Sequence, residues 1–269
     1  MHMSSRVFPA IALVIAILLA TACRSGPGDI VRKDPKFFTA ADEAKIGQRL
    51  VDESWRDGSR SIIQDGTGTF TDEAYAYLKP LLYQLVDQQH VTRRDSFSWD
   101  LHMVVDRTSH AYTLPGGQLM LHTGLLHSLH SEAEFVGILA REVALAETGA
   151  AMAALDRNVE DNVLLGDLIL GNDAILDDVI DELPGLNFTE AELYAADSLA
   201  ARLVCPSDYE EQGLTLAVER FDTDAPYLRT RPAERFWAST FESRVSSCPG
   251  ADSLYAHRYI DQLGRYVPN

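Results

Sequence analysis

Hydrophobic positions recur at helical spacing in the first part of the chain, where two helices are predicted. Thr39 followed by Asp42 resembles a capping box, in which each side chain hydrogen-bonds the backbone of the other residue at a helix start. The apolar residues that follow recur every three or four positions: Ile46, Leu50, Val51 and Trp55. A second helical pattern starts at Thr71 and contains Pro80, which predicts a kink or a late start of that helix.

The hydrophobic period then changes to two, which is typical of β-strands. Apolar and polar residues alternate over residues 97–106. Residues 111–114 and 118–122 flank Pro115-Gly116-Gly117, and this order predicts a β-hairpin with a glycine-containing loop.

Helical spacing returns after the predicted hairpin. Residues 124–148 are predicted to form one helix that crosses the core, and the acidic, leucine-rich residues 159–183 are predicted to form one or two helices. Thr189 and Glu192 have the spacing of a capping box and predict a helix that runs to Val204.

The amino-terminal residues predict the cellular compartment. Residues 10–20 are an unbroken apolar run after Arg6, too short to span a membrane but typical of the core of a secretory signal. Residues 19–23 (LATAC) resemble a bacterial lipobox, which implies lipidation of Cys23 after removal of a signal peptide at residues 1–22. Residues 23–38 would then be a lipidated tether. Because Arg24 follows the cysteine, the resemblance favours the outer membrane, facing the periplasm.

Composition and charge narrow the possible partners. The chain is 46% hydrophobic and 23% charged, which is ordinary for a globular protein. Its formal charge of −17 argues against nucleic acid as a partner, because contacts with phosphate need a basic surface. If Cys23 is acylated, Cys205 and Cys248 form one possible disulfide in an oxidising compartment. Two unpaired thiols are the alternative.

Six segments of the chain form an ordered set of motifs: HAYTLPGG (110–117), TGLL (123–126), EAEF (132–135), REVAL (141–145), FTEAELYAAD (188–197) and YLRTRPAER (227–235). In order and spacing they resemble peptidase family M48, whose pattern is close to NAFALPGG, TGLL, EDEL and HExxH, followed by an ExxxD helix and a THPxxxxR stretch. The active members of this family are zinc metallopeptidases. The resemblance implies an α+β, zincin-like fold for residues 39–269, mostly helical, with a C-terminal extension. In that fold a small sheet containing the antiparallel hairpin packs on a helical bundle.

The residues at the family's zinc-ligand positions lack ligand atoms. Arg141 and Leu145 replace the two histidines of HExxH, and Leu193 stands at the third ligand position, four residues before Asp197. Arginine has no lone pair to donate, and leucine has no ligand atom. The catalytic position Glu142 is retained, with Asp197 as its supporting carboxylate. We therefore expect no metal cofactor at this site and no peptide hydrolysis.

The substitutions also suggest a rebuilt pocket. Without a divalent cation, Glu142 and Asp197 would be buried charges that lack a partner. We expect Arg141 and Arg231, which replaces the histidine of THPxxxxR, to pair with Glu142 or Asp197. The alternative is that Arg141 extends to the surface.

Three hypotheses for function remain open. The first is a pseudopeptidase that binds extended or unfolded protein segments in the cell envelope. Its binding edge would be the strand of Gln118, Leu119, Met120, Leu121, His122 and Thr123. The second is an active metallopeptidase with an unconventional site drawn from His110, His122 or His127, and the third is a structural anchor in an envelope complex.

A weak metal site is a further possibility on the helix after the hairpin. His127, His130 and Glu134 would share a helix face if residues 124–148 form one helix. An exposed polar face is the favoured explanation, because such residues on an amphipathic helix need no metal to account for them.

Overall fold

Helices surround a small four-stranded sheet in the part of the chain that the structure describes. A computed structural model describes residues 38–56, 62–63, 65–66, 69–158, 179–181, 183–210, 212–221 and 253–263. The strands are β1 (Ile62–Ile63), β2 (Asp100–Val104), β3 (Ala111–Leu114) and β4 (Gln118–His122). The helices are α1 (Ala40–Arg56), α2 (Thr69–Val86), α3 (Thr123–Ser128), α4 (Glu132–Glu147), α5 (Ala150–Asn158), α6 (Glu190–Val204), α7 (Gly213–Arg220) and α8 (Ala256–Leu263).

The predicted capping boxes start two of these helices. Before α1, the Thr39 N–H donates to Asp42 Oδ2 at 2.9 Å, and the Asp42 N–H donates to Thr39 Oγ1 at 3.2 Å. Thr189 and Glu192 form the same reciprocal pair before α6. Local hydrogen bonding therefore fixes both helix starts. Helix α2 contains Pro80 well inside its length, so that helix does not start late.

The sheet is mixed, with strand order β1-β2-β4-β3. The predicted hairpin is confirmed, because β3 and β4 pair antiparallel from Ala111↔Leu121 to Leu114↔Gln118. β2 pairs parallel to β4 from Asp100↔Gln118 to Val104↔His122. The α+β prediction is therefore correct, but the sheet also contains a parallel pair.

The prediction that β4 is the binding edge is wrong. β4 lies between β2 and β3, so strands pair with it on both sides, and β1 and β3 are the outer strands. Thr123 does not belong to the strand but begins α3. The cause is apolar residues on both faces of β4: Leu119 and Leu121 join one hydrophobic cluster and Met120 the other. Such a strand is stable when neighbours cover it on all sides.

A tight turn between β3 and β4 sets the position of α1. Gly116 has φ of +74°, a left-handed conformation that favours glycine. A Cβ atom on Gly116 would come within 2.5 Å of the Cα atom of Ala44 in α1. The glycine therefore allows α1 to pack directly on the turn.

The single helix predicted over residues 124–148 is two helices. Leu129 is extended and ends α3, and Ser131 caps α4 by accepting a hydrogen bond from the Glu134 N–H at 3.2 Å. Glu134 Oε2 in turn accepts from the His130 N–H at 2.6 Å. His127 and Glu134 consequently lie on different helices, so the metal site considered for them with His130 does not form on one helix face.

Helix α4 is the centre of the helical core, and every one of its residues is buried. It contacts β3 on one side and α6 on another. Within the described ranges, no helix is both long and apolar enough to cross a membrane. Residues 1–37, with the predicted signal and tether, lie outside the described residues, as do residues 159–178 and 182 of the predicted acidic helices.

Candidate functional site

The candidate site lies along the C-terminal half of α4, where the helix contacts β3 and α6. Burial of this half leaves Arg141 and Glu142 about 1% exposed each, so both charged side chains must find partners inside the protein. The capping box before α6 fixes the start of that helix and with it the position of Asp197, two turns further on.

Arg141 pairs with Asp197 across the contact between α4 and α6. Its Nε atom donates to Asp197 Oδ1 at 2.9 Å, and both side chains are almost fully buried. This pairing confirms the expectation for Arg141, and the alternative of a surface arginine is wrong. Burial raises the pKa of Asp197, and the neighbouring guanidinium opposes that rise. The guanidinium therefore supplies the positive charge beside this carboxylate.

Glu142 is held against β3. Thr113 Oγ1 donates to Glu142 Oε2 at 2.6 Å and lies 3.1 Å from the Glu142 main-chain oxygen. Sequence reasoning missed Thr113, although one signal was present: the family pattern NAFALPGG has alanine at this position. The hydroxyl adds a hydrogen bond to the one retained catalytic position.

The residues at the three zinc-ligand positions do not fit a zinc ion. Leu145 and Leu193 are buried and offer only carbon atoms, and the Nε atom of Arg141 is bonded to Asp197. Zinc requires deprotonated sulfur, imidazole nitrogen or carboxylate oxygen ligands. In the described ranges, no group of three or more His, Cys, Asp or Glu side chains could hold a metal ion.

A segment before α6 covers the space beside Glu142. His110 Nε2 donates to the Pro184 carbonyl oxygen at 2.9 Å. The cavity that remains between this segment and Glu142 has a volume of about 10 Å³, which is room for about one water molecule. The residues of the segment that line this cavity are Leu183, Pro184, Leu186 and Phe188. A substrate side chain does not fit there.

The histidines proposed for an unconventional site have other contacts. The rings of His110 and His122 meet edge to face with centroids 5.3 Å apart. His122 Nδ1 is 2.7 Å from Thr108 Oγ1 and 3.5 Å from Asp106 Oδ1. Burial alone would raise the pKa of Asp106, but hydrogen bonds from Thr108 and the nearby His122 lower it. His127 is on α3 and joins neither histidine in a described metal-binding group.

Other predicted site residues lie outside the described residues: Cys23, Arg231 and Cys248. Cys205 follows α6 and is disulfide-bonded. Three statements stay predictions: the pairing of Cys205 with Cys248, the pairing of Arg231 with a buried carboxylate, and the lipidation of Cys23.

Comparison with known proteins finds a family model that matches the central part of the chain. Residues 73–156 match the model of peptidase family M48. The match includes most of α2, the strands β2 to β4, and the whole of α4 with Arg141 and Glu142, whereas Leu193 and Asp197 lie beyond it. No curated protein matches the chain significantly.

Proposed function

Residues 73–156 of this chain belong to peptidase family M48, and on that premise we propose that the protein is a non-catalytic member of the family. The proposal is a pseudopeptidase that binds extended or unfolded polypeptide segments without cutting them. The observation that carries it is the buried Arg141–Asp197 pair.

The chemistry of peptide hydrolysis supports the loss of activity. Zinc in such enzymes lowers the pKa of a bound water from about 15.7 to about 7, so that a neighbouring glutamate can deprotonate it. Glu142 is present to act as that base, but Arg141, Leu145 and Leu193 provide no ligand atoms for the ion. Hydrolysis would therefore require Glu142 to deprotonate a water that nothing activates.

The small cavity beside Glu142 limits where a polypeptide could bind. A volume of about 10 Å³ beside Glu142 is too small for a side chain, and Pro184 is hydrogen-bonded to His110 next to the outer strand β3. We propose that polypeptide binding takes place outside this cavity.

We also propose that the protein is anchored by lipid at Cys23 in the outer membrane and faces the periplasm. The lipobox-like residues 19–23 support this location, and the charge of −17 means that attachment relies on the acyl chains, because anionic lipid surfaces repel the domain. An envelope protein or an unfolded polypeptide would be the partner.

A cleavage assay separates this proposal from that of an active metallopeptidase. The full chain is incubated with zinc and an unfolded, reduced protein substrate, beside Glu142→Gln and the exposed control Glu190→Gln. We expect all three proteins to leave the substrate intact and to bind it equally. Cleavage that Glu142→Gln abolishes and Glu190→Gln retains would show an active enzyme, and absence of any substrate binding would favour the anchor protein.

A further inference from the structure

An open pocket lies beside the N-terminal half of α4, away from the retained catalytic position. Its volume of about 470 Å³ is within the range of about 300–1,000 Å³ that is typical of ligand sites. Leu81 and Leu85 of α2 and Val136 of α4 line it, and all three are buried. The pocket wall therefore includes apolar residues beside polar ones, and the aliphatic part of a ligand could contact them.

Gln88 lines this pocket and has a hydrogen-bond acceptor without a partner among the described residues. Its Nε2 atom donates to the Leu203 carbonyl at 2.7 Å, which fixes the orientation of the amide. Its Oε1 atom is buried, and no hydrogen-bond donor reaches it in the described part of the chain. A buried oxygen in this state favours a ligand that brings an N–H group.

The charges at the pocket favour a cation. Arg258 lines the pocket, but its Nε and Nη2 atoms bond the buried carboxylate of Glu132, and its guanidinium stacks over the Tyr255 ring at 4.1 Å. Glu132 thus balances the charge of Arg258. Asp208 is exposed and adds a negative charge to the pocket. The whole chain also has a negative formal charge of −17.

The backbone of Tyr255 is strained at the same place. Its φ of +49° lies in the left-handed region, which is rare for a large side chain. Its ring contacts the Arg258 guanidinium and meets the ring of Tyr209 edge to face with centroids 5.5 Å apart. Strained residues of this kind cluster at functional sites.

We propose that this pocket binds a lysine side chain of an extended polypeptide. The aliphatic stem would pack on Leu81, Leu85 and Val136, the ammonium group would donate to Gln88 Oε1, and Asp208 would attract its charge. Lysine fits because it joins a flexible four-carbon stem to three donors and no acceptor. The inference rests on the proposed function and names the polypeptide that this function requires.

The test measures fluorescence anisotropy of labelled peptides with the full chain. One peptide carries lysine among aliphatic residues, and matched peptides carry glutamine or glutamate instead. We expect the lysine peptide to bind most tightly, and free Nα-acetyl-lysine amide to compete only weakly. Competition as strong as that of the peptide would overturn the polypeptide assignment.

Substitutions in the pocket provide the second part of the test. Asp208→Lys, on an exposed side chain, should weaken binding of the lysine peptide about fivefold, which is about the upper limit for an exposed ion pair. The matched control Asp95→Lys, also exposed but outside the pocket lining, should not. Gln88→Leu should weaken binding about tenfold by removing the acceptor.

The outcomes distinguish the two proposals. Equal binding of the lysine peptide by Asp208→Lys and by the unmodified protein would overturn the pocket assignment. If peptides bind without preference for lysine, the proposed function stands and the pocket assignment fails. If no peptide binds, both proposals fail.

Discussion

The two halves of α4 differ in the partners of their charged residues and in the size of the cavity beside them. In the C-terminal half, Arg141 and Glu142 bond to partners that are themselves buried, and a cavity of about 10 Å³ remains. In the N-terminal half, Glu132 is buried but bonds the half-exposed Arg258, and Val136 lines an open pocket of about 470 Å³. One helix therefore lies beside a small cavity at the retained Glu142 and beside a much larger pocket at Val136.

The difference teaches how a buried carboxylate is balanced without a metal ion. Such a carboxylate needs a positive charge beside it, and a guanidinium can supply that charge inside the protein. Asp197 has that partner in Arg141. The proposed non-catalytic function places binding at the pocket beside the other half of the helix.

The largest expected effect comes from breaking the closed half. Arg141→Leu leaves the Asp197 carboxylate buried without its guanidinium and should lower the free energy of unfolding by about 3–5 kcal/mol. Urea denaturation measures this change. The double variant Arg141→Leu/Asp197→Leu should recover most of the loss, because it removes both charges.

A matched arginine at the surface provides the control for that prediction. Arg157 pairs with Glu192 but is 40% exposed. Arg157→Leu should therefore cost about 1 kcal/mol or less. Equal losses for Arg157→Leu and Arg141→Leu would contradict the account of the buried pair.

The second effect concerns the support of Glu142. Thr113→Val keeps the shape of the side chain but removes the hydrogen bond to Glu142 Oε2, and it should cost about 1.5–3 kcal/mol because the acceptor is buried. Thermal unfolding measures the loss. Thr215→Val is the matched control, since Thr215 Oγ1 is buried without a partner in the described ranges and its removal should be neutral or stabilising. Equal losses in both variants would count against the Thr113 hydrogen bond.

The third effect is a pH dependence of stability that arises in the N-terminal half of α4. Burial and the carboxylate of Glu132 raise the pKa of Tyr77 and Tyr209, whose hydroxyls donate to Glu132 in the N-terminal half. The folded protein keeps these protons after the unfolded chain has lost them, so the stabilising contribution is complete below about pH 10 and falls as the pH rises further.

Urea denaturation between pH 8 and pH 11 measures this slope. Tyr209→Phe should reduce the slope of the free energy of unfolding against pH by about 1.4 kcal/mol per pH unit above about pH 10, because the variant lacks one tyrosine with a raised pKa. Thr113→Val, in the other half, should leave the slope unchanged because a threonine hydroxyl does not titrate. An unchanged slope in Tyr209→Phe would show that the Tyr209 hydroxyl at Glu132 does not contribute to the pH dependence of the free energy of unfolding.

Local patterns in the sequence predicted much of the fold and half of the site. The capping boxes, the hairpin and the central helix depend on residues a few positions apart, and the missing ligand atoms at Arg141 and Leu145 were visible directly. The break at Ser131 was missed even though Ser131 and Glu134 have capping-box spacing. That signal was outweighed by the apolar periodicity on both sides of it.

Long-range pairing explains what the sequence could not predict. The parallel pairing of β2 with β4 joins strands separated by a hairpin strand, and it is this pairing that makes β4 an interior strand. Glu132 accepts hydrogen bonds from Tyr77, Tyr209 and Arg258, which lie 55, 77 and 126 positions away in the sequence. No periodicity connects such residues, so the open pocket becomes visible only in the folded chain.

The most direct test of the central claim is an anomalous difference map at the zinc edge from crystals of the full chain soaked in zinc. The account predicts no zinc peak beside Glu142, with the Arg141 guanidinium still bonded to Asp197. A zinc ion bound to Glu142 or its neighbours at coordination distances of about 2.0–2.2 Å would contradict it.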